Sequence, residues 1–140
     1  MFEECLYFNS NALARAVTRI WSEAYKPFEL SPPHAFMLRC VLAKPGLMPR
    51  ELAAELHLSR STVTRFLDSL EKRNLVIRMM VTGDGREIQI FPTESAIKIH
   101  QELDQTGKRL SQLMKELIDE EELSHTLTNL RKFQEILGEK

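Results

Sequence analysis

The sequence predicts a mainly α-helical fold that carries one small β-hairpin. Three observations predict it. Apolar residues recur at three- and four-residue spacing over most of the chain. The period changes once to strict alternation, between about residues 75 and 91. A turn rich in Gly and Asp sits in the middle of that alternating stretch.

Each element follows in order. Leu6, Leu13, Val17, Ile20 and Ala24 share helical spacing, and Pro27 stops the pattern, so a first helix is expected over about 6–26. Ser31 followed by Pro32 reads as an N-cap and first helical residue, opening a second helix towards Lys44. Pro45-Gly46 closes it, and Pro49 begins a short third helix through Leu56. From Ser59 to Arg73, Val63, Phe66, Leu67 and Leu70 form an apolar stripe. The opposite face carries Ser61, Arg65, Asp68 and Lys72, with Thr64 at its flank. Ser59 is placed to cap this helix, and Asn74 to end it in the left-handed conformation.

Alternation then takes over. Leu75, Ile77, Met79 and Val81 point one way, and Val76, Arg78 and Met80 the other. Thr82-Gly83-Asp84-Gly85 supplies the turn, Arg86 stands beside Asp84 at the tip, and the return strand runs through Ile88 and Ile90. After Pro92-Thr93 a long helix is read through Ile99, Leu103, Leu110, Leu113, Met114 and Leu117, with an interruption and a bend expected at Gly107. A break over Asp119 to Glu122 precedes a last helix with Leu123, Leu127, Leu130 and Leu137 on one stripe. No internal repeat and no linker appears, and 140 residues suit a single domain over 1–140. Its core spans about 31–92, flanked by helices over about 6–26 and 93–138.

Composition excludes several classes. With 43% hydrophobic and 28% charged residues the chain reads as a soluble globular protein. No apolar run reaches the length of a membrane span, so no membrane partner is expected. Phe2, Glu3 and Glu4 lack the basic flank of a signal peptide, which points to the cytoplasm. Two cysteines, Cys5 and Cys40, are too few for a disulfide framework or a paired-cysteine zinc module. His34, His57, His100 and His125 are scattered without metal-ligand spacing. No nucleophile–base pairing and no phosphate loop is present, so neither an enzyme nor a cofactor is expected.

A short helix, a tight turn, a second helix and then a hairpin form the winged helix-turn-helix arrangement. The second helix of such a unit keeps one apolar face on the core and offers a short-chain polar face to the major groove. Ser61 and Thr64 are small enough to let the backbone approach base edges, and the planar fork of Arg65 suits guanine or phosphate. Lys72 and Arg73 are placed for phosphates. Arg60, Arg65, Lys72 and Arg73 outnumber Asp68 and Glu71, so this segment is basic in a chain whose net charge is -1. Arg86 can reach a minor groove, with Asp84 holding its guanidinium. The competing reading is a winged-helix module whose basic face serves an acidic protein. The outer helices show more Leu and Ile than one winged unit covers, which argues for a homodimer.

The segment ELAAELHLSRSTVTRFLDSLEKRNLVIR, followed by GDGREIQIFPTESA, resembles the MarR family of multiple-antibiotic-resistance-type regulators over essentially the whole chain. The resemblance implies a homodimeric repressor on double-stranded DNA, bound to a pseudo-palindromic operator and released by a small-molecule or oxidant effector. At matching positions it implies DNA contacts from Ser61, Thr62, Thr64 and Arg65, with Arg86 at the wing tip and Asp84 orienting it. Asn74 and Ala96 stand where relatives carry glycine, and Gly85 and Glu87 flank Arg86 where many carry a second base. Some oxidant-responsive relatives have their reactive cysteine near the position of Cys5, the candidate sensor. Its acidic neighbours Glu3 and Glu4 work against the thiolate a sensor needs, so an incidental thiol is the competing reading.

Overall fold

A computed structural model describes residues 1–81 and 87–138 of the chain. The elements run α1 (Leu6–Tyr25), a 3-10 turn (Lys26–Phe28), α2 (Pro32–Ala43), α3 (Pro49–Leu56), α4 (Arg60–Lys72), β1 (Val76–Met80), β2 (Ile88–Pro92), α5 (Glu94–Leu117) and α6 (Glu120–Leu137). The chain divides into two compact units, Met1–Asp104 and Gln105–Lys140.

In the first unit the helix ends are fixed locally. Ser31 Oγ accepts from the His34 N–H, with Pro32 at the first helical position of α2. The Glu51 carboxylate reaches back to the Met48 N–H at 3.0 Å, which satisfies one donor at the start of α3. His57 takes the left-handed conformation (φ 54°) and turns the chain between α3 and α4. Ser59 Oγ then accepts from the Thr62 N–H at 3.2 Å. At the far end Asn74 has φ 57°. There the Leu75 N–H reaches the Leu70 carbonyl and the Asn74 N–H that of Glu71, both at 2.9 Å, a Schellman closure. Asn adopts this conformation more readily than most residues other than Gly, so the exchange at this position leaves the helix stop intact.

The core lies beneath α2, α3 and α4, where Met37, Leu38, Leu52, Val63, Leu67 and Leu70 are fully or almost fully buried. β1 and β2 pair antiparallel, with Val76 opposite Pro92, Arg78 opposite Ile90 and Met80 opposite Ile88. Leu47 adds a bridge on the other side of Ile90, reached through Gly46 at φ 97°. Only the start of β1 enters the core. Leu75 and Val76 are both buried, whereas Ile77, Met79, Met80 and Val81 are exposed, so neither face of the strand is covered throughout.

Thr93 closes the hairpin at its base. Its N–H donates to the Leu75 carbonyl at 3.1 Å and its hydroxyl to the Asn74 carbonyl at 2.7 Å. The same hydroxyl oxygen accepts from the Ala96 N–H and so caps α5. Ala96 is itself fully buried.

The second unit holds the later part of α5 and all of α6. α5 runs unbroken through Gly107, contrary to the expected interruption, because one glycine costs a long helix only about 1 kcal/mol. The break before α6 is also shorter than expected. Asp119 is the N-cap, its carboxylate accepting from the Glu122 N–H at 3.1 Å. Glu120, Glu121 and Glu122 therefore form the first helical turn, where the macrodipole favours negative charge. Among the described residues no helix is long and apolar enough to cross a membrane.

Candidate nucleic-acid interface

The buried stripe of α4 decides what its other side offers. Val63, Leu67 and Leu70 face the core, and Phe66 lies against the His34 ring with centroids 4.4 Å apart. Ser61, Thr64, Arg65 and Lys72 are consequently exposed, and Thr62 is half-buried at their edge.

A chain of short hydrogen bonds orders the start of this face. Ser59 Oγ donates to Thr62 Oγ1 at 2.8 Å, and Thr62 Oγ1 accepts from the Arg65 guanidinium at 3.4 Å. Thr62 thereby links the helix cap to Arg65. Ser61 Oγ lies 3.2 Å from Ser59 Oγ. Thr64 donates its hydroxyl proton to the Arg60 carbonyl at 3.0 Å, which leaves the oxygen with acceptor capacity only.

Charge on α4 is arranged asymmetrically. Arg78 of β1 reaches Asp68 at 2.7 Å and Glu71 at 3.2 Å, and it donates to the Thr64 carbonyl at 3.4 Å. Both acids of the helix are thus held by one guanidinium from the hairpin. Among the described residues Arg60, Arg65 and Lys72 make no ion pair. The expectation for Arg73 needs correction. Its guanidinium donates to the Phe28 carbonyl at 3.0 Å and to the Glu29 carbonyl, and lies 3.9 Å from the Glu29 carboxylate. It ties the end of α4 to the 3-10 turn and is committed there. Asp84 and Arg86 lie outside the described residues.

Sequence reasoning missed three groups. The roles of Arg78 and of Arg50, which pairs with Glu87 at 3.3 Å across the α3 start and the hairpin, depend on hairpin placement. A third cluster joins α1, α2 and α5 inside the first unit. Arg39 donates to Tyr25 Oη and to Asp104, each at 3.4 Å, and His100 Nε2 lies 3.2 Å from the other Asp104 oxygen. The four-residue spacing of His100 and Asp104 was a signal available in the sequence.

Of the titratable candidates, His34 is half-buried, and its Nδ1 shares a hydrogen bond with Ser31 Oγ. Burial, and then the nearby Arg73 charge, hold its pKa below the usual histidine value. Cys5 is exposed immediately before α1. Cys40 is half-buried on α2, and burial pushes its thiol pKa up. Glu55 adds to that rise, while Arg39 and Lys44 oppose it.

Comparison with known proteins agrees with this architecture. Residues 30–88 match the MarR family model. An uncharacterized HTH-type transcriptional regulator of Bacillus subtilis (strain 168), YybA, is 24% identical over 101 residues, covering 72% of this chain and 67% of the relative. Among solved structures, the Staphylococcus aureus MepR–DNA complex superposes with a TM-score of 0.84 at 22% identity, covering 96% of this chain and 100% of that one. The Streptomyces coelicolor PcaV transcriptional regulator, in complex with its natural ligand, also gives 0.84, at 21% identity, over 96% and 95% of the two chains. The matched segment holds α2, α3, α4 and β1 and ends at the first residue of β2, so the helix-turn-helix lies within the part that is similar to the MarR family, and the chain has the winged-helix fold of these solved structures.

Proposed function

We propose that the protein is a sequence-specific, DNA-binding repressor that acts as a cytoplasmic homodimer on a pseudo-palindromic operator. The observation that carries this reading is the exposed face of α4, where Ser61, Thr64 and Arg65 stand beside bases left without acidic partners among the described residues. Arg65 reads a base or phosphate, Ser61 and Thr64 contact bases and backbone, and Thr62 orients Arg65 through its hydroxyl. Lys72 serves a phosphate. Arg86 reaches a minor groove from the hairpin tip, with Asp84 orienting it. The DNA in the MepR complex supports the assignment of partner, and the natural ligand bound by PcaV supports a small-molecule effector, which we propose releases the DNA. Cys5, exposed as it is, remains the candidate if that effector is an oxidant.

The test is selection of bound sequences from a random duplex pool with the purified full chain. An inverted repeat with half-sites about one helical turn apart is expected. On the recovered site, Arg65→Ala costs about 1–3 kcal/mol and relaxes the preference at one position. Binding without consensus, and with no steep fall as salt rises, would overturn the operator reading in favour of a protein-binding module.

A further inference from the structure

The two acids of α4 pose an electrostatic problem for the proposed DNA-reading face. Asp68 lies about 60° round the helix from Arg65, close enough in angle to confront the same phosphates. It is also well exposed, at 61% of its side chain. Uncompensated, Asp68 and Glu71 would offset two of the three bases Arg60, Arg65 and Lys72. Arg78 removes that problem from the neighbouring strand. Its side chain is only 23% exposed and runs along α4 at Thr64, Asp68 and Glu71, positions that share one flank of the helix.

We infer that Arg78 is a positioning residue for DNA binding: it neutralises both carboxylates of α4 and pins them on the hairpin flank, without itself contacting DNA. The inference rests on the DNA reading above and concerns how the charge of the reading face is set. A guanidinium suits the task better than an ammonium, because its fork donates to two carboxylates and a carbonyl at once.

The experiment measures affinity for the random duplex pool at low and at physiological salt, using the wild-type chain, Arg78→Met, Asp68→Asn/Glu71→Gln and the triple variant. Arg78→Met is expected to bind about tenfold more weakly at low salt, the size expected for two freed carboxylates within about a Debye length of phosphates. The triple variant is expected to return to within about threefold of wild type, since the carboxylates that Arg78 compensates are gone. Asp68→Asn/Glu71→Gln with Arg78 intact binds at least as tightly as wild type. A triple variant as weak as Arg78→Met would overturn the inference, because Arg78 would then touch phosphate or brace the hairpin by itself. Unchanged binding by Arg78→Met would overturn it too. If Arg78→Met fails to fold, the triple variant decides alone: recovery supports the inference and weakness overturns it. Wild-type protein that binds no duplex sinks the DNA reading and this inference with it, whereas tight wild-type binding with an indifferent Arg78→Met sinks the inference alone.

Discussion

His34 shows how much one side chain can report. Its ring rests on Phe66 of α4, and burial together with the Arg73 charge lowers its pKa in the folded chain. An unfolded histidine titrates near 6.5. Below that value the unfolded chain takes up a proton that the folded chain resists, so stability falls as pH drops from about 6.5 through the lower folded pKa. His34→Gln keeps a hydrogen-bonding side chain and removes the titration. Thermal melting between pH 7.5 and 5 should therefore show a shallower loss in the variant, and parallel curves would remove His34 from the account. Neighbouring residues also show where reading from sequence stops. Lys72 and Arg73 look interchangeable on paper and both are exposed, yet only Arg73 is bound to the carbonyls of residues 28 and 29. The difference is set by contacts 44 and 45 residues away, which no local pattern encodes. Arg78 was hidden for a related reason: its meaning comes from Asp68 and Glu71 of α4, which the turn between helix and strand brings back against it.

At the scale of an element, α4 is bounded by two side chains that sequence reasoning identified, Ser59 and Asn74. Such signals are local: a hydroxyl before the first turn and a residue tolerant of positive φ after the last. Ser59→Ala should cost about 1 kcal/mol of stability. It should also weaken DNA binding beyond that loss, because the Ser59–Thr62–Arg65 chain starts there. Urea denaturation and duplex titration of the same variant separate the two effects, and binding unaltered once stability is matched would detach the cap from Arg65. Asn74→Gly should be nearly neutral, whereas Asn74→Ala is expected to lose about 1–2 kcal/mol from the left-handed position. The helices were legible because their periodicity, prolines and caps agree. The Leu47 bridge to Ile90 was not, since it pairs residues far apart in sequence beside a Pro-Gly turn. The acidic run at 120–122 read as a break because its charges mask a first turn that favours them.

For the whole molecule, the apolar surface is the dominant fact. In the first unit Phe2, Leu6, Tyr7, Phe8 and Leu13 are exposed, and in the second Leu127, Phe133, Ile136 and Leu137. Burial of each such side chain is worth about 1.5–3 kcal/mol, which is ample to hold two copies together. Light scattering at micromolar concentration should give a dimer mass for the wild type and a monomer mass for Leu127→Glu/Leu137→Glu; a wild-type monomer would remove the two-fold operator from the proposal. Composition had suggested this surplus of apolar surface, while the balanced net charge concealed how unevenly charge is placed on α4. The clasp at Thr93 carries a different consequence, for how such a protein can diversify. Leu75 and Thr93 are joined at the foot of the hairpin, so the chain between them is a closed cassette with both ends anchored. Lengthening that loop costs only about 0.6 kcal/mol for each doubling. On the proposed reading, changes of sequence or length between these anchors leave the end of α4 and the start of α5 where they are, so what the hairpin contacts can evolve independently of what α4 contacts.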